Sequence, residues 1–546
     1  VLLATAAAAS PPAADLQAHV LALTAPEMEG RGSGTPGGTR AAHYIASVLA
    51  RAGLRPGGDG GTFFQEFTVG ETTGVGPGSR LAPAGPGARE LAVGLTWTPH
   101  GGSGSGGVST ELVFVGHDDY VAVDVRGRVA LTLGGAPAAA PSPSRLEKLI
   151  AARRAGARAL LIVEDPLPAV AATAAPVALL SGSVTRAGAD LLLAPSGRSL
   201  DDLVRGAGAV ATGVRVDLHV DLVREPRLAA NVIGVLPGTD PARAGEAVVI
   251  GAHYDHLGRE GAAVYHGADD NASGTAVVLE LARSLAASRP ARTLVFILFA
   301  GEEIGLLGAA HYVSQPSVAP VHRIAAMLNF DMVGRLEGRR LLVGGVDTGG
   351  FRPLVEAAGR EAGLALDLRG GGGGPSDHAR FYAADVPVLF FHSGRHADYH
   401  QVSDTADRLD TGGMASIARM GLGLAERLAD GPRPVFARVP GPAPRAALGA
   451  SARAGDGEQG AFLGIAPDVR AGWDGVRLGS IVPGSAAERA GLRAGDVLVR
   501  LGDTGLSRFA DLREALGRRR PGETVPLLYL RDGQDHAIPV TLGARP

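Results

Sequence analysis

Between residues 230 and 430 the chain alternates continuous apolar runs with amphipathic helical patterns, and this alternation narrows the possible folds more than any other feature. The runs EAVVIGAH, RTLVFILFAG, IAAMLNFDMVG, RLLVGG and VPVLFFHSG read as strands. Between them, SGTAVVLELARSLAAS, IGLLGAAHYVSQ, FRPLVEAAGREAGL and GGMASIARMGLGLAERLAD carry helical spacing. A strand apolar on both faces must be covered on both, so the pattern predicts an α/β fold with a mainly parallel mixed sheet and helices on each side. In such sheets ligands bind beyond the carboxyl ends of the strands.

Those ends carry the chemistry-bearing residues. The first strand runs into His253, Tyr254, Asp255 and His256, and the turn before the next helix holds Asp269, Asp270 and Asn271. Later strands lead to Glu302 and Glu303, to Asp331, and to a segment with His392, His396 and His400. Two adjacent glutamates alone read as a solvated turn, and Asp270, Asn271 and Ser273 read equally well as helix caps. Five such clusters on one sheet edge instead suggest imidazoles and carboxylates sharing divalent cations such as zinc. Asp255, two residues after His253, can accept that imidazole's second N–H, although a surface ion pair is the competing reading.

Bulk properties remove other classes. A chain of 546 residues exceeds one core and predicts two to four domains. The net charge of -3 gives no basic footprint for nucleic acid. Cysteine is absent, which removes thiol nucleophiles and thiolate metal sites. Lys148 is the sole lysine, in what reads as a surface helix, SRLEKLIAARRAG, so phosphate-loop nucleotide binding is excluded. Residues 1–10 read as the remnant of a secretory signal peptide, or else as an Ala-rich tail; the first reading predicts a secreted or periplasmic protein. No other stretch approaches the ~20 apolar residues of a membrane span.

The motifs GAHYDHLG, GADDNASGTA, FAGEEIGLLGA, NFDMVGR, SDHARF and YHQVSDT, in this order, resemble the M28 family of dizinc exopeptidases, whose best-known members are aminopeptidases. The resemblance implies two Zn²⁺ per chain, with His253 and Asp331 on one ion, Glu303 and His400 on the other, and Asp269 bridging. It further implies Asp255 orienting His253, Glu302 as general base, a cis peptide from Asp269 to Asp270, and peptide N-termini as substrate. His392 then reads as a strand-end residue, His396 as a loop residue, and Asp377 and His378 as support. Glu29 and Arg31 read as stabilising a loop.

The catalytic domain is expected over 11–74 and 223–431, with a β-rich insertion at 75–222 that resembles a protease-associated domain. Residues 432–458 read as a Pro/Ala/Gly-rich linker. Residues 459–546 resemble a PDZ domain, which places Gly464 and Ile465 in a loop able to receive a peptide C-terminus. Rival readings are a glutaminyl cyclase or carboxypeptidase of the same superfamily, or a non-catalytic peptide-binding protein on this fold.

Overall fold

The computed structural model describes residues 11–135, 143–170, 177–206, 208–336, 338, 340–439, 461–467, 475–482 and 484–544. The expected signal remnant, residues 1–10, and positions 440–458 of the expected linker lie outside the described residues. Two compact units divide the chain, one of residues 1–69, 227–454 and 546, the other of residues 70–226 and 455–545.

The first unit is built on strands β1 (Leu222–Leu236), β2 (Ala247–His253), β3 (Thr293–Phe299), β4 (Ile324–Phe330), β5 (Arg340–Gly344), β6 (Ala365–Leu368) and β7 (Val388–His392). Their order across the sheet is β1-β3-β2-β4-β7-β5-β6, with Arg55–Pro56 and Phe64–Val75 added beside β1. The central strands β3, β2, β4 and β7 run parallel, while β1 and β5 join antiparallel.

Because side chains alternate along a strand, β2 sends Val248 and Ile250 to one face and Val249 to the other. The first face packs on α1 (Ala13–Leu23), α2 (Pro36–Arg51), α3 (Gly274–Leu285) and a long C-terminal helix, Thr411–Asp430. The second packs on the helices Leu307–Ser314, through Tyr312, and His378–Ala383, through Phe381. Each fully buried aliphatic or aromatic side chain contributes roughly 1.5–3 kcal/mol. The parallel strands are therefore the most firmly held segments, and whatever follows their carboxyl ends is rigidly positioned.

In the second unit, residues 70–226 form a seven-stranded sheet centred on four parallel strands, 106–114, 129–133, 159–163 and 180–184. The C-terminal residues form a six-stranded sheet that includes 465–467, 476–481, 497–501, 524–531 and 534–541. These two sheets share a core. Val497, Val499 and Leu530 pack with Leu146, Leu149 and Ile150 of the helix Arg145–Arg154.

That helix is not the surface element its sequence suggests: Lys148 is 2% exposed and pairs with Asp118. Arg145 pairs with Glu164, and three further charges find partners on the C-terminal sheet, Glu147 with Arg500, and Arg153 and Arg154 with Asp535. Burial of Lys148 and of most of the Glu147 side chain is thus possible because each has a counter-charge, Asp118 and Arg500.

Candidate metal centre

Parallel β2, β3 and β4 end at the same edge. β2 closes on His253, β3 leads through Gly301 to Glu302 and Glu303, and β4 leads to Asp331. Asp270 arrives from the buried turn between β2 and α3, and His400 from the loop after β7.

Two cradles result. His253 Nε2 stands 3.4 Å from Asp270 Oδ1 and 3.3 Å from Asp331 Oδ1. His400 Nε2 stands 3.2 Å from Asp270 Oδ2 and 3.1 Å from Glu303 Oε2. Donors ~2.0–2.1 Å from a shared tetrahedral cation lie ~3.3–3.4 Å apart, so both cradles have cation dimensions. The two oxygens of Asp270 serve one cradle each. His400 Nε2 makes no hydrogen bond despite its two carboxylate neighbours, an orphaned polar atom that a cation would satisfy.

Electrostatics agree. Burial opposes a charged His253, yet Glu302 and Asp331 outweigh it and hold the imidazole well above its usual range. Burial likewise disfavours His400, but Glu303 and Asp270 raise it to about 10. Protons on these rings answer an excess of buried negative charge, the charge that divalent cations would neutralise. Burial and Asp270 push Glu303 up, but His400 and His256 prevail and hold it at about 2. Burial, reinforced by Glu303, Asp331 and Asp377, pushes Glu302 well above the ordinary carboxylate range against the pull of His253.

The structure brings His253, Asp331, Glu302, Glu303 and His400 together, and Asp270, not the expected Asp269, stands between the two cradles. Asp269 points away: its carboxylate accepts from Gly334 N–H at 2.6 Å and from Ser273, and faces His396 Nε2 at 3.0 Å. Asp270 takes its place, because φ -108° and ψ 91° break the helical turn there and send the next side chain the opposite way. The cis peptide shifts equally, lying between Asp270 and Asn271. Asp404 anchors this turn by accepting from the N–H groups of both Asp269 and Asp270.

Asp255 reaches His253 differently from the expectation. Its backbone carbonyl lies 3.1 Å from Nδ1, whereas its carboxylate is 3.8 Å away and instead accepts from Glu302 N–H and Ser33 Oγ. Asp255 therefore fixes the tautomer of His253 through one group and the glutamate loop through another. Arg31, wholly buried, donates to the carbonyls of Leu23, Tyr254, His266 and Gly267, tying the N-terminal loop to the turns that frame the site. His392 Nδ1 meets the carbonyl of Asp331 at 2.9 Å, and His378 stacks on Phe390. The Asp377 carboxylate is buried without a hydrogen bond, and burial pushes it up to about 8. Sequence reasoning left His256 unassigned, yet its Nδ1 lies 2.7 Å from Glu303 Oε1.

In the C-terminal sheet, Gly464 adopts φ +83°, and a Cβ there would meet Ser485 Cβ at 2.0 Å, so only glycine fits. Ile465 opens the edge strand 465–467.

Fold and site together define an α/β protein whose parallel sheet presents two cation-sized carboxylate–imidazole cradles at its carboxyl edge. Residues 231–425 match the model of Peptidase family M28 and residues 460–542 that of the PDZ domain. Leupeptin-inactivating enzyme 1 of Streptomyces exfoliatus is 35% identical over 184 residues, 33% of this chain and 38% of that protein. Aminopeptidase YwaD of Bacillus subtilis (strain 168) is 36% identical over 149 residues, 26% of this chain and 31% of that protein. The chain thus spans between 31% and 38% of the length of these two relatives. Among solved structures, an aminopeptidase from Aneurinibacillus sp. strain AM-1 aligns at a TM-score of 0.44 and 23% identity, over 79% of this chain and 97% of that one.

Proposed function

We propose that the protein is a zinc-dependent aminopeptidase holding two ions per chain. The observation that carries this reading is Asp270 dividing its two oxygens between the His253/Asp331 and Glu303/His400 cradles. The M28 match and the aminopeptidase named among its relatives support the same substrate class, free peptide N-termini. Bound ions would supply Lewis acidity toward the scissile carbonyl and lower the pKa of an attacking water.

The chain's own residues do the rest. Glu302 lies within reach of His253 and Glu303 but makes none of the close carboxylate–imidazole contacts that define the cradles, and its N–H is fixed on Asp255 Oδ1 at 3.2 Å. Held there with its proton affinity raised, it takes a proton from the water and delivers it to the leaving amine. Asp255, Ser33 and Arg31 keep the site's loops in register for that transfer. Two cradles rather than one favour peptide hydrolysis over glutaminyl cyclisation.

The edge strand 465–467 offers unpaired backbone groups to which a peptide C-terminus could add as a strand at Gly464 and Ile465. No helix among the described residues is long and apolar enough to cross a membrane, and the small apolar residues at 1–9 support export.

The test is metal analysis combined with hydrolysis of free and N-blocked aminoacyl substrates by wild type and Glu302→Gln. Two zinc ions, cleavage of free substrates alone, and a variant that keeps metal but loses ~10²–10⁴-fold in rate are expected. Equal cleavage of blocked and free substrates would remove the aminopeptidase reading, and full activity of Glu302→Gln would remove the assigned base.

A further inference from the structure

Resting on the two-cation reading above, we infer that His256 is a positioning residue that orients the Glu303 carboxylate and so sets the strength of the Glu303/His400 cradle. His256 Nδ1 lies 2.7 Å from Glu303 Oε1, while Glu303 Oε2 faces His400 Nε2 at 3.1 Å. One oxygen is thereby occupied by the imidazole and the other is left for the cation. The 2.7 Å separation is a hydrogen bond, shorter than the ~3.3 Å expected of two donors on one tetrahedral ion. Asp270 Oδ2, at 3.9 Å from the same nitrogen, is too distant to share it closely. His256 therefore acts on the metal through Glu303.

The ring is placed for this role. Its side chain is fully buried, its backbone N–H donates to Arg31 O, and it makes an edge contact with the ring of His400. Gly267, at φ +56°, leaves room for it: a Cβ there would come within 2.4 Å of His256 Cγ. Nε2 has no hydrogen-bond partner. A buried Nε2 without a partner is tolerable as a bare lone pair, whereas a stranded N–H would lose its full hydration, so the proton belongs on Nδ1, facing Glu303. A hydrogen bond to the non-coordinating oxygen of a ligating carboxylate both fixes its orientation and removes its freedom to rotate away.

Two variants separate this role from packing. His256→Asn loses the ring but keeps an N–H donor near the position of Nδ1; His256→Phe keeps the ring and loses the donor. Zinc affinity of each site is measured by competition with a chromogenic chelator, thermal unfolding of the metal-free proteins checks folding, and X-ray absorption counts imidazoles on the bound ions.

Loss of the donor in His256→Phe should loosen one of two sites by ~10–100-fold and leave the other unchanged, while His256→Asn stays within about threefold of wild type. The imidazole count should be the same in all three proteins. The inference is overturned by unchanged affinities in His256→Phe, by a larger loss in Asn than in Phe, or by an imidazole missing from the ions in either variant. Wild type that binds fewer than two zinc ions would overturn the two-cation reading itself, before any variant is compared.

Discussion

Glu303, held at about 2 by His400 and His256 against burial and the charge of Asp270, is ionised at neutral pH, whereas burial, reinforced by Glu303, Asp331 and Asp377, pushes the proton affinity of Glu302 well above the ordinary carboxylate range. Adjacent residues thereby divide into a ligand and a proton carrier before any cation arrives. The same charges predict proton-linked metal binding. His400, at about 10, must lose its proton to coordinate, so cation and proton compete and affinity rises with pH below that value. Calorimetric titration in buffers of different ionisation enthalpy should show net proton release, with apparent affinity gaining about tenfold per pH unit for each proton displaced. Affinity independent of pH between 6 and about 9 would contradict the charge state assigned to His253 and His400.

Most of this site was legible from residue types at strand ends, since His253, Glu302, Glu303, Asp331 and His400 all converge. Which aspartate stands between the cradles was not, because neighbouring aspartates are equivalent in sequence and only the backbone torsions of the 268–273 turn decide which faces the site. The partner of His256 was hidden for the same reason: its target is 47 residues away.

Among elements, the end of the long helix Thr411–Asp430 is held by Arg292, which is buried and donates to Leu428 O, Gly431 O and the carboxylate of Glu246. Burial raises the proton affinity of Glu246, but hydrogen bonds from Arg292 and Arg433 prevail and lower it below about 4.5. A depressed carboxylate contributes stability that is complete above its unfolded value and is lost as pH falls through the folded one. Glu246→Gln should therefore destabilise near neutral pH, with the difference from wild type shrinking as pH falls through the lowered folded value, as read by urea unfolding. A difference that is constant across that range would contradict the assigned pairing.

The helix Arg145–Arg154 carries a second lesson. Its charges on every turn read as solvent exposure, yet the counter-charges of Glu147, Arg153 and Arg154 lie more than 300 residues away on the C-terminal sheet, beyond the reach of local pattern. Leu530→Ala, which opens the core shared with Leu146 and Leu149, should cost ~2–5 kcal/mol.

At the scale of the molecule, the alternation that opens the α/β reading is borne out by the sheet order β1-β3-β2-β4-β7-β5-β6 and its two covered faces. The grouping of residues 455–545 with 70–226 escaped sequence reading, since it depends on Val497, Val499 and Leu530 completing a distant core. Two units predict two calorimetric transitions. Chelation should lower only the transition of the unit that holds the cradles, by about 2.7 kcal/mol for each site previously held at a hundredfold excess over its dissociation constant. Leu530→Ala should lower only the other.

The most direct measurement compares zinc stoichiometry in wild type, Asp269→Asn and Asp270→Asn after dialysis against a weak chelator. With Asp270 shared between the cradles, Asp270→Asn should release both ions while Asp269→Asn retains two. Retention of two ions by Asp270→Asn, or their loss from Asp269→Asn with the fold intact, would contradict the account.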